Sequence, residues 1–101
     1  MPLIAEGRNL FIVDIEYVVP LEQVEPLIPD HVAFLDRNYA QGHFLASGAK
    51  VPRTGGVIVA MSESRDEVEE IIRADPFHAR GIARYTVTEF RPTRTAPGLG
   101  D

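Results

Sequence analysis

Between residues 9 and 18 the chain alternates without a break. Phe11, Val13, Ile15 and Tyr17 fall on one side, and Ile12, Asp14 and Glu16 on the other. Successive side chains of a strand point to opposite faces, so this stretch reads as a half-buried strand with an apolar face to cover. The next segments of the chain must supply that cover. Pro20 ends the strand and starts a short helix over 21–27. Pro29 opens a second helix, its missing N–H falling where no partner exists, and Asp30 adds favourable charge to that first turn. Val32, Leu35 and Tyr39 recur at helical spacing, and Gly42 is a natural stop.

The rest of the chain continues the alternation of element types. Residues 43–51 read as a strand in which Gly48 signals a bulge or a close approach to the backbone. Pro52 to Gly56 is a turn, and Val57–Met61 is an apolar strand that belongs near the centre of a sheet. Ser64 followed by Glu67 has the spacing of a capping box, opening a helix with Val68, Ile71 and Ile72 inward. Asp75-Pro76-Phe77 breaks that helix, and a last strand spans about 83–91. Strand, helices, two strands, helix, strand is the βαββαβ order of a ferredoxin-like α+β domain with an antiparallel sheet. Such a sheet carries helices on one face and leaves the other open. At 101 residues a single domain over 1–92 is expected, burying roughly 60–65% of its unfolded surface. A second copy on the open face would relieve that thin core, so a homodimer or higher oligomer is expected. Residues 93–101 carry no apolar pattern and are expected to form a flexible tail.

Charge and composition exclude several functions. Ten basic residues are scattered among 15 acidic ones, for a net charge of −5. A nucleic-acid or anionic-membrane partner needs concentrated positive charge, and none is present. Without cysteine there are no disulfides, thiolate nucleophiles or Cys-ligated metals. The N-terminal residues lack a basic start and a long apolar run, and no apolar run approaches a membrane span, so a cytoplasmic location is expected. His31, His43 and His78 share no metal-binding spacing, and no phosphate loop or nucleophile elbow occurs; neither metal nor cofactor is expected.

Two residues stand out for chemistry. His31 lies in a first helical turn, bordering the buried stripe; it reads either as a general base or as a helix-start histidine satisfied locally. Asp75, held before Pro76, reads either as a site carboxylate or as an Asx-type cap. Spacing alone does not join them.

His31-Val32-Ala33-Phe34-Leu35, then Gly42 to Gly48, then Gly56-Val57-Ile58-Val59, then Asp75-Pro76-Phe77 together resemble the YCII-related family, over about residues 9–92. The resemblance implies a dimeric α/β-barrel arrangement and a catalytic His31–Asp75 pair beside a cleft. In such an enzyme the backbone at Ser47 and Gly48 is expected to approach a small-molecule ligand and Phe34, Tyr39 and Phe77 to line the pocket, with Tyr39 and Phe77 reading alternatively as core. One family member is described as a dehydrochlorinase of a chlorinated aromatic, a lyase-type reaction that needs a base. This implies a cofactor-independent lyase-like enzyme, with a ligand-binding or structural dimer as the alternative. Two positions depart from the family pattern: Ile28 stands where an Arg is frequent, and Gly48-Ala49 where Gly-Pro is frequent. Losing the Arg fork points away from an anionic ligand, to a more apolar one or to a variant subgroup.

Overall fold

The computed structural model describes residues 2–100. Its elements are β1 (Asn9–Tyr17), α1 (Leu21–Val24), a 3₁₀ turn (Glu25–Leu27), α2 (Ile28–Ala40), β2 (Phe44–Ala49), β3 (Gly55–Ser62), α3 (Arg65–Arg73), α4 (Pro76–Ala79) and β4 (Ala83–Phe90). The sheet has the order β2-β3-β1-β4, with every neighbouring pair antiparallel. That is a ferredoxin-like α+β fold, and β3 lies inside it beside β1.

The alternation of β1 sorts its residues as expected. Phe11, Val13 and Ile15 are buried with Ile58 and Ala60 of β3, and Phe34, Val68 and Ile72 cover them from α2 and α3. A second cluster of Val24, Phe77 and Ile82 fills the end of the sheet where α1 and α4 meet. The opposite face bears Ile12, Val57, Val59 and Met61, each half-buried and uncovered by a helix.

Local chemistry explains the boundaries. Pro26 has no N–H for an α-helical bond, so the segment expected as one helix over 21–27 tightens into a 3₁₀ turn after Val24. The helix expected from Pro29 starts one residue earlier, at Ile28. Ser64 Oγ accepts from the Glu67 N–H at 3.4 Å, but the Glu67 carboxylate turns to the Ser62 hydroxyl, so only half of the capping box forms. Gly42 takes φ +80°, the left-handed conformation that stops α2.

Three expectations change. The strand irregularity lies between Phe44 and Ala46, while Gly48 pairs regularly with Val57. The close backbone approach is instead at Gly55, where an added Cβ would sit 1.8 Å from the Ile15 carbonyl oxygen. α2 is also rotated from its expected stripe: Phe34 and Asn38 are buried, whereas Val32 and Tyr39 are exposed. Asn38 is stable inside because its side chain donates to the Phe34 carbonyl and meets His43 Nδ1 at 2.9 Å, leaving no buried polar group unpaired. Near the chain ends, the Leu3 and Ile4 N–H groups donate to the Gly98 and Leu99 carbonyls at 3.2 and 2.7 Å. Met1 and Asp101 lie outside the described residues.

Candidate active site

Asp75 occupies the junction between α3 and α4. The following Pro76 drives it out of the helical region, to φ −69° and ψ 126°. That conformation points its carboxylate back over the first turn of α4, where Oδ1 accepts from the Phe77 N–H at 3.1 Å. The same oxygen lies 2.8 Å from His31 Nδ1, and Oδ2 accepts from the Tyr85 hydroxyl at 2.5 Å. Asp75 thus caps α4 and at the same time meets the His31 imidazole.

The carboxylate is fully buried and accepts from the Phe77 N–H and the Tyr85 hydroxyl; as a group that only accepts, it requires its third neighbour, His31 Nδ1, to donate. Nδ1 of His31 therefore carries the proton of the neutral ring, and Nε2 carries the lone pair. Nε2 has no partner among the described residues, where no buried side-chain nitrogen or oxygen is left unpaired. Nε2 must therefore reach open space, in keeping with a His31 side chain that is 15% exposed. Phe77 stacks on the ring with centroids 4.1 Å apart and planes 10° from parallel, which fixes its tilt.

Tyr85 completes the set from β4. Burial pushes its phenol well above the usual tyrosine range, and the Asp75 charge pushes in the same direction. It is a permanent donor at working pH. Tyr85→Phe should lower stability by about 1.5–3 kcal/mol at neutral pH, because one buried oxygen of Asp75 loses its partner. A pKa raised on folding means the wild type also loses stability once unfolded tyrosine ionises, above about pH 10. Urea titrations at neutral and alkaline pH should show that loss diminished in the variant.

His31 opens on a cleft of about 310 Å³ between α2 and the β2–β3 edge of the sheet. Ile28, Val32 and Leu35 form one wall, Ile58 and Ser47 belong to the sheet, and Phe77 closes the end. Of the residues expected near a ligand, Ser47, Gly48 and Phe77 line this cleft. At Gly48 an added Cβ would meet nothing within 4 Å, so the missing side chain leaves open room. Phe34 and Tyr39 do not line it. Phe34 is 1% exposed in the main core, and Tyr39 sits on the exposed side of α2 with its hydroxyl 2.7 Å from Ser47 Oγ.

Sequence reasoning missed Tyr85, which carried only a strand signal, and Arg53, which sat in an unremarkable turn yet lines the cleft. No local pattern marks either residue. A wider groove of about 820 Å³ between the chain ends shares no residue with this cleft. Among the described residues no group of three or more His, Asp or Glu side chains is placed to hold a metal ion, and no helix is long and apolar enough to cross a membrane.

Comparison with known proteins agrees with the fold. The dehydrochlorinase of 5-chloro-2-hydroxyhydroquinone (TftG) from Burkholderia phenoliruptrix AC1100, solved with 2,5-dihydroxybenzoquinone, superposes with a TM-score of 0.71. It is 22% identical, and the match covers 81% of this chain and 93% of that one. SnoaB, a cofactor-independent oxygenase from Streptomyces nogalater, superposes with a TM-score of 0.52 at 16% identity, covering 90% of this chain and 98% of that one. At these identities the likeness establishes the fold alone. The uncharacterized protein YjpA of Bacillus subtilis (strain 168) is 33% identical over 79 residues, 74% of this chain and 93% of that protein. The profile of the YCII-related domain matches residues 10–91, which is nearly all of the folded chain, and the chain belongs to the YCII-related family.

Proposed function

We propose that the chain is a cofactor-independent enzyme of lyase type acting on a small cyclic or aromatic substrate in the cleft beside His31. Nε2 of His31 takes a proton from the substrate. The electron pair left behind forms a new double bond while a leaving group departs from the adjacent carbon with its own bonding pair. Asp75 holds the Nδ1–H tautomer and stabilises the imidazolium, and Tyr85 holds Asp75. The observation that carries this reading is an imidazole anchored on one nitrogen and open on the other, beside a cleft of about 310 Å³. A purely structural pair would be sealed. The two structural neighbours, a dehydrochlorinase and a cofactor-independent oxygenase, support small-molecule chemistry on this fold.

Proton abstraction is measurable before any full reaction is found. In deuterated buffer, small cyclic compounds with acidic C–H bonds should exchange in the presence of the wild type and not of His31→Gln. Binding of such compounds without exchange would favour the second reading, a non-catalytic receptor in which the His–Asp pair is a polar anchor.

The functional unit in this reading is a homodimer joined through the open sheet face, where Ile12, Val57, Val59 and Met61 lack cover. Sedimentation should give twice the mass of one chain, and Val59→Lys should return the monomer.

A further inference from the structure

The cleft is apolar except at a few points. None of its lining residues is acidic. Besides His31 its lining includes one basic residue, the exposed Arg53 of the β2–β3 connection. Arg53 takes part in no ion pair among the described residues, although five other pairs form. The backbone around it is tied down: Thr54 N–H donates to the Pro52 carbonyl at 2.8 Å, and Tyr17 N–H donates to the Thr54 carbonyl at 2.9 Å. A guanidinium beside an apolar slot, with no carboxylate to neutralise it, fits a planar anionic oxygen on a ligand, which it can grip with its fork.

We infer that Arg53 is the specificity-determining residue of the cleft and that the substrate is a small planar ring bearing an ionised oxygen, a phenolate or enolate. The inference rests on the reading of the cleft as a substrate site. It reverses the apolar ligand suggested by Ile28. Ile28 makes the α2 wall apolar, and the positive charge comes from the other wall. The ring lies between the two, with its oxygen at Arg53 and its reacting hydrogen toward His31. When His31 removes that proton, the electron pair forms the new double bond as the leaving group departs, and the guanidinium holds the ring's oxygen anion in place throughout the step.

The test uses the whole chain and two probes of similar size, para-nitrophenol at a pH where it is ionised and nitrobenzene, which is neutral. Binding is followed by the visible absorption of the phenolate and by NMR shifts at Ile28, Val32 and Phe77. The wild type should hold the phenolate more tightly than nitrobenzene. Arg53→Gln should weaken phenolate binding by about 10- to 100-fold, the effect of losing a charge-assisted bond, with nitrobenzene affinity kept within about twofold. Arg53→Lys, which keeps the charge without the fork, should fall between. Unchanged phenolate affinity in Arg53→Gln, with both probes still shifting the cleft residues, overturns the role of Arg53 and leaves the cleft as a binding site. If neither probe shifts those residues in the wild type, the cleft is no substrate site and both readings fall.

Discussion

Replacing Asp75 by Asn should slow proton abstraction by His31 about 10²- to 10⁴-fold while the fold survives. The amide is the same size and still meets the Tyr85 hydroxyl, which lies 2.5 Å from Oδ2 in the wild type. Its oxygen stays where Oδ1 now accepts from the Phe77 N–H and meets His31 Nδ1, and its N–H₂ donates to the Tyr85 hydroxyl oxygen, which can accept as well as donate. The Nδ1–H tautomer is kept, but the negative charge that stabilises the imidazolium is gone, so Nε2 is a weaker base toward the substrate proton. Nitrogen chemical shifts of the ring should show the Nδ1–H form in both proteins. Undiminished exchange of substrate protons in Asp75→Asn would sink the proposed role of the pair.

The second large effect is expected at Phe77. Its ring is 2% exposed and packs with Val24 and Ile82, while one face lies on His31 and its edge contacts Tyr17 at 5.8 Å. Phe77→Ala should cost about 3–5 kcal/mol, from lost burial plus the cavity left behind. In a domain with a thin core that is a large part of the total stability. The change also frees the His31 ring to tilt, so residual activity should fall even at temperatures where the variant is folded. Phe77→Leu separates the two contributions. It restores much of the volume but not the flat stacking surface, so denaturant unfolding should recover more than proton exchange does.

These two residues show where sequence reasoning reached and where it stopped. Pro76 after Asp75 marked the helix break, and the resulting backbone geometry comes from the proline ring alone. The alternation of 9–18 identified Phe11, Val13 and Ile15 as core, because side-chain direction in a strand has period two whatever the strand pairs with. α2 was harder. Its apolar residues suggested an inward stripe of Val32, Leu35 and Tyr39, whereas the buried positions are Phe34 and Asn38. An asparagine is tolerated inside only because the Phe34 carbonyl and His43 happen to meet it, and no helical periodicity carries that information.

By itself, then, the sequence determined the order and kind of the elements, their apolar faces and most of their ends. Those depend on neighbours a few residues away: strand alternation, proline geometry, and a serine cap three residues before its partner. Tertiary structure alone decided the site. His31 and Asp75 are 44 residues apart, and a hydrogen bond forms between them only because α2 and the α3–α4 junction pack on the same sheet face within a few tenths of an ångström. Tyr85 reaches the same carboxylate from β4 because its register beside Ile15 turns it toward the helices. Arg53 lines the same cleft as Ile28 and Val32 of α2, which lie more than twenty residues earlier in the chain. Each of these is a distance between segments far apart in the chain, set by the packing of whole elements.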